Sequence, residues 1–180
     1  DLFYEVTELV EGLRLDKYLM DRAQPIPFDW QVGCIEQLGS ALAHAHRNDV
    51  IHRNISPESV YVAKSGVIKL ADFDFAKVKD MNTLMVGSTR LSDTPFLAPE
   101  LSIDPSNASP ASDLYSLGYL WLHLAMWPSS KAVLRSADID DASTLPEQAR
   151  RLLHALLSRA PDSRPQSAEK LLRRLDQWTK

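Results

Sequence analysis

Residues 113–126 constrain the fold of this chain more than any other segment. Their leucine, tryptophan, tyrosine and alanine side chains fall on nearly every side of a helical projection. A helix that is apolar all round is stable only when other elements cover it on every side. The sequence therefore predicts one central buried helix with other helices packed around it.

Amphipathic segments elsewhere in the chain can supply the covering helices. Apolar residues spaced by three and four positions predict helices near residues 15–19 and over 28–48, 145–159 and 166–178. Two short apolar runs, at 60–62 and 67–70, flank a Lys-Ser-Gly turn and predict a small β-hairpin. We expect a mainly α fold with one hairpin. Residues 77–94 indicate a long loop, and residues 128–144 a loop or short helix.

The first residues predict a strand without a partner. Residues 1–7 combine aromatic and β-branched side chains, and Gly12 ends the segment. A lone strand is not stable in water, so the rest of its sheet is expected upstream of Asp1. The chain does not begin with Met, and we interpret it as a fragment or a processed piece.

Composition excludes several classes of function. The net charge of −4 argues against nucleic-acid binding driven by bulk positive charge. Cys34 is the only cysteine, which excludes an internal disulfide and a cysteine-built metal site and favours a cytoplasmic setting. No apolar run approaches the ~20 residues of a membrane span. We interpret Cys34 as a packed core residue, and His44 and His46 as helix-surface or helix-end residues rather than metal ligands.

Five short motifs follow one another in an order that carries functional information. They are His52-Arg53-Asn54-Ile55-Ser56-Pro57-Glu58-Ser59-Val60, Asp72-Phe73-Asp74, Ala98-Pro99-Glu100, Ser112-Asp113-Leu114-Tyr115-Ser116-Leu117-Gly118 and Asp162-Ser163-Arg164-Pro165. The series resembles the large C-terminal lobe of eukaryotic-type serine/threonine protein kinases. The resemblance covers nearly the whole chain, and it implies a mainly α C-lobe with a small β-hairpin and a remnant hinge strand.

The resemblance also divides the chain into functional segments. It implies a single C-lobe over residues 1–180, with a hinge at 7–12, a catalytic loop at 52–60 and an activation segment at 72–100. The family's glycine-rich loop, its strand lysine and the glutamate that pairs with it would belong to an N-terminal lobe that this chain does not contain.

The catalytic loop departs from the family at three positions. The family's HRDxKxxN pattern has a base, a cation and a metal ligand where this chain has Asn54, Ser56 and Ser59. A neutral amide cannot accept a proton at pH 7, and Ser56 has no positive charge. Efficient phosphate transfer is therefore not expected, although these substitutions alone leave it uncertain whether the domain is an enzyme.

Parts of a nucleotide site are nevertheless implied by the resemblance. Asp72 occupies the position of the family's magnesium-binding Asp, so ATP and magnesium are candidate cofactors. Glu8 and Val10 fall in the hinge, whose backbone meets adenine in the family. Tyr61 lies where the family keeps an apolar residue beneath the base; it would stack on the base or fill its space.

Other matching residues are implied to be architectural. Glu100 and Arg164 correspond to a buried ion pair of the family. Asp113 would anchor the backbone of the catalytic loop, and His52 would pack beneath that loop. Arg53 would contact a phosphorylated loop residue in an active kinase.

Three interpretations remain open at this point. The first is a pseudokinase that regulates or scaffolds another domain or protein partner, with or without bound nucleotide. The second is an active or weakly active serine/threonine kinase when joined to an N-terminal lobe. The third is a structural domain without any ligand. No nucleic-acid partner, and no membrane association of this segment, is expected.

Overall fold

The computed structural model describes residues 6–78, 94–129, 131 and 133–178. Within these residues the helices are α1 Leu15–Met20, α2 Phe28–Arg47, α3 Pro99–Ile103, α4 Pro110–Ala125, α5 Glu147–Leu156 and α6 Ala168–Leu175. The strands are β1 Gly12–Arg14, β2 Val50–Ile51, β3 Val60–Ala63, β4 Ile68–Leu70 and β5 Lys77–Val78. Short 3-10 helices lie at Phe73–Phe75, Pro105–Asn107, Ser136–Ile139 and Pro161–Ser163.

Helix α4 is the central buried helix that the sequence predicts. Its five leucines and Trp121 are completely shielded from solvent, and α2 and α5 pack against it. The Trp121 indole N–H donates to the side-chain oxygen of Gln31 in α2 at 3.2 Å, so the one polar atom of that ring is satisfied in the core. The mainly α architecture is thereby confirmed.

The start of α4 lies three residues before the predicted position. Ser109 caps the helix, Pro110 is its first residue, and Ser109 and Ser112 exchange hydrogen bonds in a capping box. Such a box satisfies amide groups that the first turn leaves without partners. Hydrophobic periodicity does not detect these polar residues, which explains the difference in the boundary.

Two small antiparallel sheets accompany the helices. Strand β3 pairs with both β1 and β4, and Gly66, at a φ of +86°, allows the tight turn between β3 and β4. Side chains alternate along β3, with Val60 and Val62 in the core and Tyr61 on the opposite face. The predicted hairpin is confirmed.

Two details of the strands differ from the prediction. Most of the predicted opening strand, residues 1–5, lies outside the described residues, whereas Val6 and Thr7 form no strand and the first pairing begins at Gly12. Strand β5 pairs with β2 at the start of the predicted 77–94 loop. A pair of two-residue strands is too short to produce a recognisable alternation. Residues 79–93 of the predicted activation segment lie outside the described part.

Gly118 marks the closest approach between α4 and α5. A Cβ added there would lie 2.6 Å from the Cβ of Leu156, which is the rigid base of that side chain. We expect Gly118→Ala to lower the free energy of unfolding by about 1–3 kcal/mol, because helix α5 must move away. Urea unfolding followed by circular dichroism measures this change.

Gly33 in α2 is the matched control, since a Cβ there would meet nothing within 4 Å. Gly33→Ala should raise the free energy of unfolding by up to about 1 kcal/mol, through helix propensity alone. Equal effects of the two substitutions would contradict the packing of α4 on α5.

Candidate functional site

The carboxylate of Asp113, at the start of α4, organises the loop at residues 52–60. Its Oδ1 accepts the backbone N–H of Arg53 at 2.8 Å, and its Oδ2 accepts that of His52 at 2.9 Å. Asp113 is completely buried. Arg53 has a φ of +67°, in the left-handed region that non-glycine residues rarely adopt. The two charge-assisted bonds hold the loop in this unfavourable conformation.

His46 lies in the last turn of α2, as the helix-end interpretation expects, but it is not a surface residue, because it binds Asp113. Its Nε2 lies 2.8 Å from Asp113 Oδ2, and its side chain is only 7% exposed. The other ring nitrogen is buried and has no hydrogen-bond partner in the described part of the chain. Sequence reasoning missed this contact because 67 residues separate the partners. His44, two positions earlier on another face of α2, is exposed as expected.

His52 connects the loop to the segment that follows β4. Its Nε2 lies 2.8 Å from the carbonyl oxygen of Ala71, and its Nδ1 accepts the N–H of Asn54 at 3.2 Å. Its ring meets the ring of Phe73 edge to face, at a centroid distance of 4.4 Å. Burial lowers the pKa of His52, although Asp113 acts in the opposite direction. The segments that carry Asn54 and Asp72 are thus held side by side by one buried imidazole.

Ser56 and Ser59 satisfy each other inside the loop. The Ser59 hydroxyl donates to the Ser56 carbonyl at 3.1 Å and accepts the Ser56 N–H at 3.0 Å. Ser59 is only 1% exposed. Its hydroxyl is therefore used by the protein itself, whereas the side chains of Asn54 and Ser56 are partly exposed.

Asp72 presents a carboxylate at the edge of this arrangement. It is exposed, has a φ of +60° and immediately precedes the 3-10 helix Phe73–Phe75. Asp74, inside that helix, is exposed as well. No cluster of three or more histidine, cysteine or acidic residues suited to a metal ion occurs among the described residues.

The candidate nucleotide-binding residues do not share one cavity. Glu8 and Val10 line an open groove of about 490 Å³ beside the β3–β4 turn, and Tyr61 is not among its lining residues. Glu8 forms an ion pair with Lys69, which lies opposite Tyr61 in the hairpin register. Tyr61 instead occupies the sheet face away from the core. The nucleotide-binding roles of these three residues stay predictions.

A second groove, of about 370 Å³, adjoins the loop. Asn54, Ser56 and Glu58 line one side, and the rings of His123 and Trp127 line the other. His123 packs edge to face against Phe96 and Trp127, and burial lowers its pKa below the ordinary value of 6.5. The imidazole is therefore favoured in its neutral form. In the sequence His123 is only a polar residue within an apolar helix, and nothing there places it beside the loop.

Comparison with known proteins assigns the family. The chain matches the Protein kinase domain family over residues 1–175. This chain belongs to the protein kinase family. It is 34% identical over 121 residues to the probable serine/threonine-protein kinase PknB of Lactococcus lactis, which covers 67% of this chain and 19% of that protein.

Two further relatives agree with the assignment to the kinase family. The serine/threonine-protein kinase PrkC of Bacillus subtilis is 33% identical over 124 residues, covering 69% of this chain and 19% of PrkC. The serine/threonine-protein kinase PknL of Mycobacterium tuberculosis is 34% identical over 115 residues, covering 64% of this chain and 28% of PknL. The matched part of this kinase-family chain spans between 19% and 28% of the length of these relatives. None of the helices in the described residues is both long and apolar enough to cross a membrane.

The ion pair expected in a kinase lobe between Glu100 and Arg164 is present. Two guanidinium nitrogens of Arg164 reach the two carboxylate oxygens at 2.7 and 2.8 Å, and Ser112 also donates to Glu100. Burial alone would raise the pKa of Glu100, but these hydrogen bonds hold it below the ordinary value of 4.5. The pair joins α3 to the 3-10 helix before α6.

Breaking this pair should destabilise the lobe strongly. Arg164 is fully buried and Glu100 is 11% exposed, so Glu100→Ala leaves a buried charge without its partner. We expect a loss of about 3–5 kcal/mol in the free energy of unfolding, measured in urea. The control Glu147→Ala removes the exposed Arg151 pair of α5, where the loss should be about 0.3–0.5 kcal/mol. Similar losses for both variants would contradict a structural role for Glu100.

The partly buried imidazole of His123 should make stability depend on pH. Its pKa is lower in the folded state, so the unfolded state binds more protons as the pH falls below 6.5. The contribution of neutral His123 to the free energy of unfolding is complete above pH 6.5. It is lost as the pH falls toward the folded-state pKa of His123. In His123→Phe the ring contacts remain, and the fall in unfolding temperature between pH 7.5 and pH 5 should become smaller. The exposed His44→Gln serves as the control, and an unchanged fall in His123→Phe would contradict the assignment.

Proposed function

We propose that this chain is the C-terminal lobe of a pseudokinase, which acts as a regulatory or scaffolding module rather than as an efficient phosphotransferase. The observation that carries the proposal is the state of the loop at residues 52–60. Asp113 and His52 hold its backbone firmly, whereas Asn54 and Ser56 bring neither a base nor a cation to it.

The chemical argument rests on the demands of phosphate transfer. The reaction needs a group that orients or accepts the hydroxyl proton of the substrate and positive charge at the transferred phosphate. Losing a general base alone lowers a rate by roughly 10²–10⁴-fold. The amide of Asn54 cannot replace the base, and the hydroxyl of Ser56 cannot replace the cation. Both functions are absent from the same loop.

Binding of a magnesium–nucleotide complex is part of the proposal. Magnesium in such sites is held by one or two carboxylates together with phosphates and water. The exposed carboxylate of Asp72 suits one such ion. A second ion has less support, because Ser59, at the position of the family's other ligand, already uses its hydroxyl within the loop. Glu8 and Val10 would contribute backbone groups to the base, with Tyr61 on the outer sheet face beneath it.

An active or weakly active serine/threonine kinase is the second candidate. The carboxylate at Asp72 favours it, and the matched relatives are named as serine/threonine kinases. This candidate requires an N-terminal lobe to complete the cleft and a base from another part of the protein.

Thermal unfolding of the longest natural chain containing these residues tests the proposal, with and without ATP and magnesium. Nucleotide at 100 times its Kd should add about 2.7 kcal/mol of stability. The added stability should disappear in Asp72→Ala, which removes the metal ligand. It should remain in Asp74→Ala, which removes an exposed carboxylate two positions away.

Phosphate transfer from radiolabelled ATP separates the two candidates. The pseudokinase should transfer no label to itself or to a general protein substrate. Transfer that is lost in Asp72→Ala would replace this proposal with the active kinase. If nucleotide does not stabilise the protein and no phosphate is transferred, the nucleotide-binding part of the proposal is wrong and only the scaffolding role is left. Asn54→Asp combined with Ser56→Lys and Ser59→Asn tests whether restoring the family's residues restores transfer.

A further inference from the structure

A further groove lies far along the chain from the loop at residues 52–60. It has a volume of about 730 Å³ and is lined by residues of α3, α4, the 3-10 helix Ser136–Ile139 and the segment after α5. None of the candidate nucleotide-binding or catalytic residues lines it. The volume is in the range that holds one or two large side chains of a bound molecule.

One wall of the groove is formed by the segment that follows α4. Between α4 and α5, the described residues form a single short 3-10 helix. Tyr119 ties this segment down, since its hydroxyl donates to the carbonyl of Leu134 and accepts the N–H of the same residue, both at 2.8 Å. The backbone N–H and carbonyl of Leu134 therefore hold this wall of the groove against Tyr119.

Two exposed apolar side chains lie at or next to this groove. Ile103, at the end of α3, lines it and is 85% exposed. Val133, directly before the groove residue Leu134, is 56% exposed. Exposed apolar side chains that border a groove, rather than being scattered singly, are typical of interaction surfaces.

The charges that line the groove are unbalanced. Arg135 and Arg159 line it, and both are exposed. The one acidic lining residue, Glu100, uses both oxygens to bind Arg164. Arg159 forms no side-chain hydrogen bond or close ion pair with any residue in the described part of the chain, whereas the Arg135 side chain takes part in the capping box of the 3-10 helix Ser136–Ile139 and lies beside the Asp138 carboxylate. Asp138, near Arg135, is itself bound by Lys131.

We propose that this groove binds an acidic segment of a partner protein. A large apolar side chain of that segment occupies the space beside Ile103 and Leu134, and carboxylates on either side of it pair with Arg135 and Arg159. Charge complementarity favours this occupant, because a basic segment would meet two exposed cations and a neutral one would offer them no carboxylate. The proposal does not depend on nucleotide binding at Asp72.

Fluorescence anisotropy with a defined probe tests this inference. The probe is a fluorescein-labelled peptide with a central Leu-Phe pair flanked by glutamates on both sides. One control peptide has lysines in place of the glutamates, and another has Gly-Ser in place of Leu-Phe. The protein is the longest natural chain containing these residues, with variants Arg159→Glu and Arg135→Glu. Arg174→Glu, an exposed residue of α6 that does not line the groove, makes the same change in net charge.

The acidic peptide should bind the unmodified protein and Arg174→Glu equally, more weakly as salt is raised. Each groove variant should raise the Kd about tenfold, because attraction is replaced by repulsion. Both control peptides should bind more weakly than the acidic one. The proposal is overturned if the acidic peptide does not bind, if the lysine peptide binds as tightly, or if both groove variants bind with unchanged Kd. Unfolding temperatures verify that the variants are folded. Peptide binding is measured with and without ATP, and the Kd should be the same in both, so that this result stays separate from the nucleotide test.

Discussion

The carboxylate of Asp113 is the interaction on which the rest of this lobe depends. It is buried at the start of the central helix, where it accepts two successive backbone N–H groups and meets the imidazole of His46. A buried charge is tolerated only when its surroundings supply this many partners. Because the same contacts hold Arg53 in a left-handed conformation, the helix core and the shape of the loop are parts of one structure.

In this chain the residues that hold the loop in shape differ from the residues that would act on a substrate. The buried partners of the loop, namely Asp113, His46 and His52, are all present and bonded. The positions that would act on a substrate, Asn54 and Ser56, carry side chains of the wrong type for proton transfer or charge compensation. A loop can keep its conformation without its reactivity, since backbone hydrogen bonds depend on Asp113 and not on the side chains that point outward.

Much of the fold could be predicted from the sequence, because periodicity reports burial directly. The central helix, α2 and the hairpin follow from apolar spacing, and the ion pair of Glu100 with Arg164 from the kinase resemblance. Features that depend on distant partners could not be predicted. His46 looks like any polar residue near a helix end, and only the folded chain brings it to Asp113. His123 is a polar residue in an apolar helix, which was a usable signal, but its position beside Asn54 required the structure.

The paired hydrogen bonds of Ser56 and Ser59 have a consequence for how ligand binding relates to folding. In a loop whose polar groups await a metal, the empty protein leaves donors or acceptors unsatisfied. Here the two serines complete each other, so the loop reaches its final shape from internal contacts alone. We therefore expect the loop at residues 52–60 to keep the same conformation with the cleft empty or filled. A ligand would then have to influence a partner by a route other than the ordering of this loop.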